Sequence, residues 1–146
     1  YMHIQQIRFQ DQLAYNLRAD VDAENLLVLK LVLQPIIENA VQHGMESKGR
    51  VGIQIEIATA DNCLFYTVTD DAGAADVQSI QQLLREPVRD GQHLGLRNIQ
   101  DRIQLRFGQE YGISCTVEAG RTIFRVVLQV VRKEAQQDDQ AANRGR

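Results

Sequence analysis

The sequence predicts an α/β fold of the α+β kind: a two-layer sandwich with a mixed, mainly antiparallel sheet and helices on one face. Three observations carry this expectation. Two pairs of alternating apolar runs are each joined by a short turn. Three longer segments space their apolar residues at the helical period. Each of those helices has only one apolar side, so all of them need a sheet face to bury it.

At 146 residues the chain suits one compact domain with a real core. Apolar residues make up 44% and charged residues 24%, as in ordinary globular proteins. The net charge of −3, with no basic run or basic-aromatic patch, argues against nucleic acid as a ligand. Cys63 and Cys115 lie in apolar alternating stretches, which suits small buried hydrophobes rather than a disulfide framework or a metal site. No apolar run approaches membrane-spanning length. A first residue Tyr1 in place of Met suggests a segment of a longer protein.

Along the chain, Tyr1, Ile4 and Ile7 read as the end of a helix. Leu13 to Ala19 alternates as a strand, and Asp20, Asp22 and Asn25 mark a turn. Leu26 to His43 is expected as one long helix, kinked or restarted at Pro35 and ended by Gly44. Val51 to Ile57 and Leu64 to Val68 form a hairpin around Ala60-Asp61-Asn62. Ala75 to Leu84 is a short helix, and Arg85 to Leu94 a loop. Leu96, Ile99, Ile103 and Leu105 predict a further helix to Phe107. Ile113 to Glu118 and Ile123 to Val131 close the domain as a second hairpin around Ala119-Gly120-Arg121. The expected boundaries are a linker over 1–12, the domain over 13–131 and a disordered tail over 132–146.

The most informative stretch is Gln34-Pro35-Ile36-Ile37-Glu38-Asn39-Ala40-Val41-Gln42-His43-Gly44. Asn39, Gln42 and His43 stand three and four residues apart and share a helical face, with Ile36, Ile37, Ala40 and Val41 toward the sheet. On spacing alone, such a polar stripe is better explained by solvent.

This stretch closely resembles the asparagine box of the GHKL ATPase superfamily (gyrase, Hsp90, histidine kinase, MutL), in the form used by LytS/YesM-like sensor histidine kinases. Ile4 to Phe9 resembles the segment joining dimerisation helices to the ATP domain, and Gly95-Leu96-Arg97-Asn98-Ile99 resembles the second glycine box. Phe107-Gly108 and Tyr111-Gly112 match the exit from the following helix. The resemblance runs from Tyr1 to about Val131 and implies the Bergerat type of sandwich.

Its implications are specific. Asn39 would hold Mg²⁺ against the phosphates of ATP, a role suited to a hard oxygen ligand. Glu38 and His43 would be the catalytic positions: Glu38 polarising the attacking group or orienting Asn39, His43 near the phosphates. Gln42 replaces the usual lysine and keeps hydrogen bonding without the charge. Asp70 would accept a hydrogen bond from the adenine amino group by strand register; a shift of one residue gives that role to Asp71 and restores Gly73 to its family place. Gly95 would let backbone N–H groups meet the phosphates, with Leu96 and Asn98 beside it and His93 as phosphate contact or loop cap. Arg85 and Arg89 are candidate phosphate contacts or solvated loop charges, and Arg97 reaches the nucleotide or is plain surface.

Ala72, Ala74 and His93 stand where glycines are expected, which predicts weak, Mg²⁺-dependent binding. The implied function is γ-phosphoryl transfer from ATP to a histidine on a separate domain. Its partners would be the upstream dimerisation and phosphoacceptor domain and a response regulator, in a homodimeric protein. The domain would be cytoplasmic and the full protein anchored in the membrane. The alternative is a degenerate scaffolding module with weak or no ATP binding.

Overall fold

The computed structural model describes residues 1–22, 25–29, 31–73, 77–86 and 94–133. Helix α1 (Met2–Phe9) leads through one 3-10 turn, Gln10–Gln12, into strand β1 (Leu13–Asp20). The short strand β2 (Leu26–Leu27) precedes helix α2 (Gln34–Lys48), and the hairpin β3 (Val51–Ala60) and β4 (Cys63–Asp70) follows. Helices α3 (Val77–Arg85) and α4 (Leu94–Phe107) lead to the hairpin β5 (Gly112–Glu118) and β6 (Arg121–Gln129), and β7 (Val131–Arg132) pairs with β2.

The main sheet has the order β1-β3-β4-β6-β5. β1 and β3 are parallel, because α2 carries the chain back across the sheet between them; the other pairs are antiparallel hairpin neighbours or their extension. Both hairpin turns have two positive-φ residues, as two-residue loops require: Asp61 and Asn62 at 50° and 61°, Ala119 and Gly120 at 49° and 73°.

Alternation along β4 turns Leu64, Tyr66, Val68 and Asp70 to the helix side, and along β6 it does the same for Thr122, Phe124, Val126 and Leu128. Registers align these into rows, with Val68 between Ile55 and Phe124, and Asp70 between Ile53 and Thr122. The helices cover this face with Ile36, Ile37, Ala40 and Val41 from α2, Ile80 and Leu84 from α3, and Leu96, Ile99 and Ile103 from α4. Each fully buried aliphatic or aromatic side chain contributes about 1.5–3 kcal/mol relative to exposure. The buried Gln100 accepts the Ile113 N–H through Oε1 at 2.7 Å, tying α4 to the start of β5.

Four expectations change. The long helix does not begin at Leu26: residues 26–27 pair with β7, and α2 starts at Gln34, with Pro35 in its first turn where no N–H is needed. It does not end at Gly44, which is buried mid-helix, but at the left-handed Gly49, whose N–H donates to the Met45 carbonyl at 3.1 Å. Gly44 is glycine for packing, since a Cβ there would lie 2.4 Å from that of Val51. Tyr15 and Leu17 sit on the helix side of β1, yet they are 36% and 55% exposed because β1 is an edge strand. Leu105 keeps helical register but turns to solvent at 91% exposure. Leu105→Glu should therefore change stability by no more than about 0.5 kcal/mol in chemical denaturation.

Candidate functional site

Of the expected site residues, Asp70 and His43 approach each other where α2 crosses the end of β4. Asp70 is the last residue of the central strand, on the helix side, and only 2% exposed. Burial pushes its carboxyl up to about 6; the Ala72 N–H and the His43 and Lys48 charges pull it down, and Asp71 pushes it up. Its Oδ1 accepts the Ala72 N–H at 3.1 Å. Asp71 does the opposite. Its side chain turns to the outer face and accepts the Gly52 N–H at 2.7 Å, while its own N–H donates to the Gly52 carbonyl at 3.2 Å. The two adjacent carboxylates therefore face opposite sides of the sheet, the ordinary result of strand alternation.

On α2, Asn39 and His43 are half-buried and one turn apart, and His43 stands near enough to Asp70 for its charge to be felt there. The Asn39 amide makes no hydrogen bond among the described residues. Gln42, expected on the same face, is exposed and donates to Glu46 at 2.9 Å. Glu38 is also exposed; it accepts from Gln34 at 2.9 Å, and its charge, second to burial, helps raise the hydroxyl of Tyr1, the residue before α1. The polar stripe read from the sequence thus divides into an inner pair, Asn39 and His43, and an outer rail, Gln34, Glu38, Gln42 and Glu46.

At the start of α4 the assignments also divide. Leu96 is 2% exposed and belongs to the core, while Asn98 is exposed. Gly95 makes its close approach to protein: a Cβ there would stand 3.1 Å from that of Pro35, so the starts of α2 and α4 touch. Arg97 is structural. Its guanidinium donates to the Leu84 and Leu83 carbonyls at 2.9 and 3.4 Å, capping the last turn of α3, and pairs with Asp101 at 2.8 Å. Arg85 is exposed at the end of α3. His93, Arg89 and Ala74 lie outside the described residues, as does the expected tail beyond Lys133.

Three residues that sequence reasoning did not single out shape the turn after β4. The Asp71 carbonyl accepts from Lys48 Nζ at 2.7 Å, the Ala72 carbonyl from Ser47 Oγ at 3.1 Å, and the Gly73 carbonyl from Thr122 Oγ1 at 2.9 Å. Thr122 had a readable signal, since it shares the inward parity of Phe124, Val126 and Leu128. Ser47 and Lys48 had none, because a polar helix end reads as solvated. Gly73 has φ 114°, so glycine suits that position. The Ala72 methyl, 2% exposed, packs in the core.

A shallow depression of about 290 Å³, lined among others by Asn16, Gln54, Thr69, Asp71 and Arg121, lies on the outer face, away from α2. No group of three His, Cys, Asp or Glu side chains among the described residues could hold a metal ion. A divalent cation at this site would depend on one amide oxygen, with phosphate and water completing its shell. That donor set fits Mg²⁺, which keeps several waters and takes few protein ligands.

The single helix layer on a five-stranded sheet is a fold shared with histidine kinase catalytic domains. The catalytic domain of histidine kinase ThkA superposes with a TM-score of 0.64 at 13% identity, over 88% of this chain and 84% of that one. The histidine kinase domain of the blue-light activated kinase from Erythrobacter litoralis EL346 gives 0.61 at 16% identity, over 88% of this chain and 57% of that one. At these identities the likeness is one of fold.

Residues 24–132 match the model of the histidine kinase-, DNA gyrase B- and HSP90-like ATPases, and the chain belongs to this family. It is 36% identical over 114 residues to sensor histidine kinase YesM of Bacillus subtilis (strain 168), covering 77% of this chain and 19% of that protein. To sensor protein kinase HptS of Staphylococcus aureus (strain USA300) it is 31% identical over 111 residues, covering 74% and 21%. The chain thus spans about a fifth of the length of these relatives. No described helix is long and apolar enough to cross a membrane.

Proposed function

We propose that the chain is the ATP-binding catalytic domain of a two-component sensor histidine kinase. Asp70 accepts a hydrogen bond from the adenine amino group, and Asn39 offers its side-chain oxygen to Mg²⁺, which neutralises phosphate charge when bound. The γ-phosphorus leaves the bridging oxygen of ADP and bonds to an imidazole nitrogen of a histidine on a separate domain. Such a reaction asks the protein mainly for positioning and charge neutralisation. In this reading Gly73 and Gly95 shape the nucleotide's surroundings, with Asn98 toward the phosphates. Leu96 contributes through its backbone, since its side chain is core.

The observation that carries the proposal is the Asp70 carboxyl, buried on the helix side and facing the helix that bears Asn39 and His43. Asp71 suits the base-reading role less well, because its carboxylate is turned outward and bound by Gly52. The His43 charge acts on Asp70, which supports a place near the base rather than near the phosphates. Glu38 and Gln42 are exposed and held by neighbours on their own helix, so they remain candidates for the moment at which the acceptor domain docks. A working nucleotide site is favoured over a scaffolding module by Ala72, whose methyl is taken up by the core.

The proposed partners are a phosphoacceptor and dimerisation domain, joined through residues 1–12, and a response regulator. The full protein would be a membrane-anchored homodimer with this domain in the cytoplasm.

Calorimetric titration tests the reading. ATP should bind in a Mg²⁺-dependent manner and at least about tenfold more tightly than GTP, which lacks the amino donor at that ring position. Asn39→Ala should abolish the Mg²⁺ dependence. No binding at millimolar ATP, or equal binding of ATP and GTP, would reject it.

A further inference from the structure

We propose that Ser47 and Lys48, in the last turn of α2, are positioning residues for base recognition, acting through the turn 71–73 on the Asp70 carboxylate. The inference rests on the reading of Asp70 as the adenine acceptor.

Three consecutive carbonyls of this turn, those of Asp71, Ala72 and Gly73, each accept a side-chain hydrogen bond, from Lys48, Ser47 and Thr122. The Asp71 carboxylate and N–H are both engaged by Gly52. The Ala72 N–H closes the chain of contacts on Asp70 Oδ1. A surface turn normally leaves its carbonyls to water; this one is held at every residue from two sides, by the end of α2 and by β6.

The α2 side is firm. Gly49 caps the helix in the left-handed conformation, and Gly44 seats it against Val51. The Lys48 stem also crosses the turn, its Cε 3.9 Å from where a Cβ on Gly73 would stand. Its ammonium therefore has two routes to Asp70: mechanical, through the carbonyl of Asp71, and electrostatic, since its positive charge favours the ionised carboxyl. The charged groups acting on Asp70 are His43 and Lys48 from α2 and Asp71 from the turn. Lys48 opposes Asp71 among these.

Helix α2 thus carries Asn39 in its second turn and the brace in its last. Lys48 lies nine positions beyond Asn39, about 13.5 Å along the axis. One rigid element then sets the span between the metal-facing amide and the base-reading carboxylate.

The experiment follows the Asp70 carboxyl by ¹³C NMR titration, and ATP affinity by calorimetry, in the wild type, Lys48→Met, Lys48→Arg and Ser47→Ala. Both sites are exposed, so the variants should fold. Lys48→Met should raise the Asp70 midpoint and weaken ATP about tenfold. Ser47→Ala should weaken ATP severalfold with the midpoint little changed, and Lys48→Arg should restore both quantities. An unmoved midpoint in Lys48→Met, or ATP affinity within twofold of wild type in Lys48→Met and Ser47→Ala, overturns the proposal. Failure of the parent reading shows instead in the wild type, as an Asp70 that titrates normally while no ATP binds, and it removes the positioning role with it.

Discussion

Asp70→Asn is expected to weaken ATP binding by about 10–100-fold while making the free protein more stable at neutral pH. The loss follows from replacing a charged acceptor by a neutral amide that also donates; a hydrogen bond to a charged group is worth about 1.5–3 kcal/mol. The gain follows from linkage. The carboxyl titrates near 3.8 when unperturbed and near 6 in the folded chain. Between those values the folded state holds a proton that the unfolded state has lost, so this group's stabilising effect is full below about pH 4 and is lost as pH rises through about 6. Two pH units correspond to ~3 kcal/mol, which the asparagine variant escapes at pH 7. Denaturation midpoints of the two proteins should therefore converge on going from pH 7 to pH 4. Adenine binding needs the ionised form, so ATP affinity of the wild type should fall up to about tenfold per pH unit below 6, with proton uptake by the buffer. Asp71→Asn should leave ATP binding at neutral pH nearly unchanged, since its amide oxygen can still accept from Gly52, while loss of its charge lowers the Asp70 carboxyl. If Asp71→Asn abolishes binding and Asp70→Asn does not, the base-reading role belongs to the outer residue.

Gly44→Ala should be among the most destabilising of conservative substitutions. The added methyl would stand 2.4 Å from Val51 Cβ, 2.8 Å from its Cγ2 and 3.2 Å from the Arg50 carbonyl. None of these is the far end of a flexible side chain, so α2 must lift from β3. Overpacking of this kind typically costs about 1–3 kcal/mol, and the better helix propensity of alanine returns less than about 1 kcal/mol. A net loss of about 2 kcal/mol lowers Tm by roughly 5–10 °C in a domain of this size. Gly49→Asn is the informative comparison. Gly49 has φ 67° with nothing within 4 Å of an added Cβ, and asparagine tolerates that conformation, so its cost should stay under about 1 kcal/mol. Thermal melts of the two variants would separate a glycine needed for contact from one needed for its backbone.

That pair also shows what a sequence displays and what it hides. The alternation in β3, β4 and β6 and the helical spacing in α2 and α4 were legible because burial on one face imposes a period on the residues. The hairpin turn at Asp61-Asn62 was legible because positive φ selects such residues. The strand parity that turns Asp70 inward could also be read, and it separates Asp70 from Asp71. Gly44 could not be told from a cap, because two different demands, closeness and left-handed φ, select the same residue. The β2–β7 pair was hidden because two residues establish no period. Tyr15 and Leu17 alternate correctly, and only the strand order explains their exposure. Of the proposed site, Asn39 and His43 were singled out through a motif, whereas Ser47 and Lys48 reach backbone carbonyls twenty-odd residues away, contacts that leave no local pattern.

The touching starts of α2 and α4 have an electrical consequence. Pro35 meets Gly95 there, so the positive poles of two helix dipoles, each equivalent to about half an elementary charge, share one corner of the domain. Like poles held together repel, and the packing of Leu96 and Ile36 in the core keeps the ends in place against that repulsion. A polyanion that settles at this corner turns mutual repulsion into joint attraction. The same few residues that make the domain slightly less comfortable on its own make it a better receiver of negative charge.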